Sequence, residues 1–240
     1  MRKELRTILA LIVLILIPSV SNAADVPEHI FKQCREKAQK MKLTRVTYKF
    51  GKLIFDNTKS TDQVRSMCHS SDAAGCFQGT TAAYTVGVEN YHTFNVGKYS
   101  CVAPQLYVDY YWNDAYIFVT KEYAACQRRV ILRHELQHFT IWKTAQNYVL
   151  TESKRALNNL ALSRVTVLSD DSVGEFASPS LVRDATQVLK NINNEWNDVS
   201  IRNNNLLDEI DHNMDTEVNY RVCMPYSIEL LQYDNIFHFR

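Results

Sequence analysis

From Glu122 to Leu168, forty-seven consecutive residues contain neither glycine nor proline. The two residue types that most readily interrupt a helix are missing. Apolar positions recur at helical spacing through Ile131, Leu132, Leu136, Phe139, Trp142, Ala145, Val149, Ala156 and Leu160. The spacing predicts one long helix from about Glu122 to about Leu168. A turn region, Ser169 to Ser180, carries Asp170, Asp171, Gly174 and Pro179, with Ser178 placed as an N-cap before a proline. A second long helix is expected from there to about His212, with Leu189, Ile192, Trp196, Val199, Leu207 and Ile210 on one face. Asn203-Asn204-Asn205 is the one low-complexity piece and weakens helical propensity locally.

Inside the first helix stands His134-Glu135-Leu136-Gln137-His138. Histidines four apart lie one turn apart on one face, so both imidazoles can reach one metal ion. A glutamate beside the first histidine is placed to take a proton from water that the metal activates. With 7 His and 12 Glu in 240 residues, chance gives this pattern in roughly one such chain in a hundred. The bland alternative is a pair of polar histidines on an amphipathic helix.

A catalytic zinc site usually has three protein ligands and an open position. The extended HExxHxxGxxH pattern fails, because Ile141 and Thr144 occupy its glycine and third-histidine positions. Glu152 lies fourteen residues past His138, about 21 Å along an unbroken helix, and cannot share the ion. In an antiparallel helix pair, residues equidistant from the turn meet. Leu136 lies 32 residues before Leu168, and 32 residues beyond Pro179 is Asp211, next to His212. His212 is the expected third ligand, with Asp211 and Asp215 as carboxylate fallbacks. Asp208, Asp211 or Asp215 can alternatively orient an imidazole from behind. His29, His69, His92 and His238 read as surface or core histidines, and Trp112, Trp142 and Trp196 as core.

The N-terminus reads as an export signal. Arg2, Lys3 and Arg6 precede an apolar run from Ile8 to Ile17, Pro18 breaks it, and Ser21-Asn22-Ala23 offers a cleavage site. Residues 1–23 are the expected signal peptide and 24–240 a single domain, exported to the periplasm or beyond. The mature chain then carries 24 basic and 25 acidic side chains, a net of −1, which points away from nucleic acid and anionic membranes as partners. No later segment has transmembrane length. All six cysteines follow the signal, which suggests disulfides in an oxidising compartment. Cys68–Cys76 closes a short polar loop and is the favoured pair. Cys101–Cys126 flanks an expected hairpin, leaving Cys34–Cys223 to tie the ends together. Cysteine ligation of zinc is disfavoured because no CxxC pair is present.

The N-terminal half reads as a helix over 26–42, a strand or hairpin over 44–56 with Gly51 as a turn or bulge, a polar loop with one helical turn over 57–79, and strand-like sequence over 80–100. Segments 106–112 and 116–120 flank Asn113-Asp114 as an expected hairpin feeding the motif helix, whose strand would offer an edge to an extended peptide. The fold class is therefore α+β, a small antiparallel sheet or hairpin packed on two long antiparallel helices that carry the metal site.

With these residues in place the chain resembles a group of small secreted bacterial zincin-like proteins, described as zinc-dependent proteases of unestablished physiological role. The resemblance rests on the signal segment, the hairpin, Cys126, the run Leu132-Arg133-His134-Glu135-Leu136-Gln137-His138, and the later His212-Asn213-Met214-Asp215-Thr216-Glu217 and Tyr220-Arg221 before Cys223. It covers the C-terminal half, and the N-terminal half in outline. It implies a zincin-like fold, Zn²⁺ as cofactor, and a peptide or protein substrate, with Glu135 as general base. A non-catalytic zinc-binding or interaction protein of the cell envelope is the competing expectation.

Overall fold

The computed structural model describes residues 26–168 and 178–222; the side chains at 178 and 211–222 lie outside the described set. The expected signal peptide and most of the 169–180 turn region also lie outside it. In chain order the elements are α1 (Glu28–Gln39), β1 (Thr44–Lys49), β2 (Leu53–Asp56), α2 (Thr61–Cys68), β3 (Gly75–Gln78), β4 (Ala83–Val96), β5 (Tyr99–Tyr111), β6 (Ala115–Val119), α3 (Ala125–Ser163), β7 (Thr166–Leu168) and α4 (Ser178–Val222). The molecule is mixed α+β, with four helices and two small sheets among the described residues.

In the first sheet β5 is central. Antiparallel β4 lies along one side; the other side is shared by antiparallel β7 at Ser100–Val102 and parallel β1 at Leu106–Tyr111. The second sheet has the order β2-β6-β3, with β2 parallel and β3 antiparallel to β6. The two parallel pairs follow one another, since β1 leads into β2 as β5 leads into β6. Where they bend together, Trp112 N–H donates to Lys49 O at 3.0 Å and Ala115 N–H to Lys52 O at 2.9 Å. Gly51 sits at this corner because a Cβ there would come within 2.3 Å of the Asn113 backbone.

This corrects the expected hairpin. The strands are present, but β5 and β6 belong to different sheets and run on in one direction across Asn113-Asp114. The strand ahead of the motif helix, β6, is flanked on both sides, so it has no free edge to offer a peptide. Likewise 44–56 is two successive strands rather than a hairpin. The helical turn expected within 57–79 is a full helix, α2, capped by Ser60 and Gln63, whose side chains each bond the other's backbone N–H.

The core lies between the first sheet and the helices. Leu106, Val108 and Tyr110 of β5 are fully buried with Leu157 and Ala161 of α3 and Ala185 and Leu189 of α4. Each such leucine contributes about 1.5–3 kcal/mol by leaving water. Tyr110 and Ser153 share a buried hydrogen bond of 2.6 Å between their hydroxyls, pinning α3 to β5.

Contacts between the long helices climb one as they descend the other. Arg164 just past α3 pairs with Asp184, Tyr148 stacks on Trp196 with ring centroids 4.5 Å apart, and His138 meets Asn204. The pair is antiparallel. Helix α3 is shorter than expected, because β-branched Val165, Thr166 and Val167 prefer a strand and pair with β5 as β7. None of the described helices is long and apolar enough to cross a membrane.

Two disulfides join described residues, Cys68–Cys76 and Cys34–Cys101. The first is the pair expected from loop length. The second replaces both other expected pairings, Cys101–Cys126 and Cys34–Cys223. Since β5 and β6 do not fold back on each other, Cys101 at the start of β5 is carried away from Cys126, and it meets Cys34 on the buried face of α1 (Ile30, Cys34, Ala38). Cys126 is itself disulfide-bonded. Closing a loop of 67 residues, Cys34–Cys101 constrains the unfolded chain by about 4 kcal/mol in the loop-entropy account. Such bridges fit an oxidising compartment.

Candidate metal centre

Helix α3 presents two faces near its start. Ile131, Glu135, Phe139 and Trp142 turn towards β3, where a Cβ on Gly75 would meet Ile131 and Glu135 and the Phe77 ring lies 5.9 Å from Phe139 and 5.6 Å from Trp142. His134 and His138 turn towards α4. The helix begins where Gln127 Oε1 accepts the Ala124 N–H at 3.1 Å, fixing its first turn about two to three turns ahead of the histidines.

Three donor atoms converge between the helices. His134 Nε2 lies 2.9 Å from His138 Nε2; Asp208 Oδ1 is 3.0 Å from His138 Nε2 and 3.3 Å from His134 Nε2. The histidine side chains are 23% and 12% exposed and Asp208 is 58% exposed, so the cluster is closed on the α3 side and open to solvent past α4. His134, His138 and Asp208 are a set that can hold a metal ion.

Asn204 supplies the protonation logic. Its Oδ1 accepts the Nδ1–H of His138 at 2.8 Å, while its Nδ2 donates to Ser200 Oγ at 3.5 Å, which orients the amide. With the proton on Nδ1, neutral His138 aims its Nε2 lone pair at the Asp208 carboxylate, which has no proton to give. Two acceptors at 3.0 Å need a positive charge between them, either a second proton on His138 or a cation. The titration of the metal-free cluster follows. For His138, burial works to lower the pKa, but hydrogen bonds to Asp208 and Asn204 outweigh it and the pKa is raised. For Asp208, burial is outweighed by hydrogen bonds from His134 and His138, and its carboxyl is held well below the usual range. Glu135 is 5% exposed. Burial raises its pKa against the opposing pull of His134, His138 and the Phe77 backbone N–H, which it accepts.

His134 and His138 share the face of α3 that meets α4, whereas Glu135 turns towards β3. Asp208, expected only as one of three carboxylates to orient an imidazole, is the third member of the cluster. The side chains of Asp211, His212 and Asp215 lie outside the described residues; position 212 is one helical turn beyond Asp208 in α4. Asn204 was missed altogether. The i, i+4 spacing of Asn204 and Asp208, matching that of His134 and His138 on the facing helix, is the signal that reveals both.

Fold and site together define an α+β protein with a His-His-Asp cluster shared by two long helices. No family model, curated protein or solved structure matches the chain.

Proposed function

We propose that the chain is an exported, zinc-dependent peptidase with a zincin-like site, its cluster of His134, His138 and Asp208 holding Zn²⁺ between α3 and α4. The observation that carries the reading is the triangle of donor atoms with edges of 2.9, 3.0 and 3.3 Å. Ligands around a tetrahedral zinc with bonds of about 2.0–2.1 Å stand roughly 3.3 Å apart, close to this spacing. Two imidazoles and one carboxylate are a common catalytic donor set, with a fourth position left for water, and the exposed side of Asp208 gives solvent a way in. His212, one turn further along α4, stays an alternative donor from the same helix.

Bound zinc supplies a Lewis acid that lowers the pKa of water and polarises a carbonyl. The chain's own residues supply the rest. Glu135 follows His134 directly, and its raised pKa makes it a better proton acceptor than an ordinary carboxylate, suited to take a proton from water and deliver it to the leaving amine nitrogen. Phe77 N–H holds one carboxylate position, and Asn204 keeps the His138 tautomer that leaves Nε2 free to ligate. The substrate class is peptide or protein.

One observation favours a second reading. Glu135 is buried against β3 with Phe77 N–H as partner, as a glutamate that only caps a strand edge would be. In that case the chain is a metal-binding envelope protein without hydrolytic activity. Comparing zinc-loaded wild type with Glu135→Gln on an unbiased peptide library separates the two. The peptidase reading expects cleavage that falls about a hundredfold or more in the variant, with zinc content retained. A zinc-replete wild type that cleaves nothing, or a variant that cleaves normally, overturns it.

A further inference from the structure

The bend between the two sheets leaves a cleft of about 940 Å³, lined chiefly from the face of the second sheet away from Glu135, with Phe77 of the other face at its border. The separation follows from strand register: Cys76 and Gln78 of β3 share a face with Phe118 and Tyr116, whereas Gly75 and Phe77 share the opposite face with Val119 and Ile117. We propose that this cleft is a binding site for a neutral saccharide chain. The proposal does not depend on the peptidase reading.

Three observations carry it. The volume is at the upper end of the range of about 300–1,000 Å³ typical of small-ligand sites, enough for several sugar rings. Tyr111 and Tyr116, both exposed, line the cleft from the first and second sheet. Tyr116 lies parallel to Phe118, with an interplanar angle of 1° and centroids 5.7 Å apart, so its ring is held as a flat apolar platform. Such faces match the C–H faces of pyranose rings. The wall also holds side chains that both donate and accept: Asn113, and Gln78 anchored by its amide on Met67 O at 2.6 Å.

Charge selects among ligands. Lys49 and Asp114 offset each other in the wall, and the Asp114 carboxylate already accepts the Lys52 N–H at 2.7 Å. The cleft therefore offers no concentrated charge for a phosphate or an acidic polymer. What it offers is aromatic surface together with side-chain amides, the complement of a neutral chain rich in hydroxyls.

The test titrates the full disulfide-bonded protein with cellotetraose, chitotetraose and a neutral aromatic tetrapeptide, read by saturation-transfer NMR and by the emission of Trp112, which also lines the cleft. Saturable binding of at least one oligosaccharide is expected. Tyr111→Ala/Tyr116→Ala should weaken it roughly tenfold or more, since stacking supplies a large share of so weak an interaction. Because the metal centre lies on the other face, His134→Ala and zinc removal should leave it unchanged, which separates failure here from failure of the peptidase reading. Absence of saturable sugar binding, equal binding by the tyrosine variant and wild type, or a response to the tetrapeptide alone overturns the proposal.

Discussion

Asn204 fixes which nitrogen of His138 carries the proton, and with it how the cluster responds to pH. In the metal-free chain His138 has a raised pKa and Asp208 a lowered one. The stability drawn from His138 is fully present below its unfolded pKa, near 6.5, and is lost as pH rises through the higher folded value. That from Asp208 is present above its unfolded value, near 3.9, and is lost as pH falls through the lower folded one. Metal-free protein should therefore draw most from this pair between about pH 4 and 6.5. A bound cation replaces the proton on His138, so zinc affinity should rise with pH through the His138 titration, with net proton release on binding. Calorimetric titrations in buffers of differing ionisation enthalpy measure that release. Asn204→Ala should lower zinc affinity about 10–100-fold, while equal affinity would remove Asn204 from the account. The motif histidines and Glu135 were legible in the sequence because local helical spacing alone unites them. Asp208 and Asn204 were not, because their place depends on the register of two helices distant in sequence.

That register shows how element ends govern what can be read. The expected end of α3 at Leu168 pointed to Asp211, but the helix ends at Ser163. Leu136 then lies 27 residues before its end, and the same distance beyond Pro179 falls at Leu206, between Asn204 and Asp208. An error of five residues at one terminus thus moved the expected partner by more than a turn. Helices were legible from period, and Cys68–Cys76 from its short loop. Strand pairings were not, because Asn113-Asp114 has the composition of a tight hairpin loop yet forms the corner between sheets. Only the backbone approach at Gly51 shows this. Gly51→Ala should destabilise the fold by about 1–3 kcal/mol or more, because its Cβ would collide with backbone that cannot yield as a side chain would. A lowered urea midpoint at unchanged slope checks this, and a wild-type midpoint contradicts the corner.

For the molecule as a whole, the first sheet and α1, tied by Cys34–Cys101, form the platform on which α3 and α4 lie. The second sheet packs on the early turns of α3 and holds Glu135 through β3. The cluster therefore has its histidines on a helix fixed by both sheets and its carboxylate on a helix packed mainly against α3, so metal and helix pairing should stabilise each other. None of this long-range assembly is written in a local pattern; it follows from the burial of apolar faces that the sequence shows only one at a time. The central claim is that Asp208 completes a metal site with His134 and His138. Its most direct test is the zinc content of wild type and Asp208→Ala, each loaded with zinc, dialysed against a weak chelator and assayed by elemental mass spectrometry. The account predicts about one zinc per chain in the wild type and a large loss in the variant, as removal of one of three protein ligands requires. Zinc retained by Asp208→Ala at the wild-type level would contradict it.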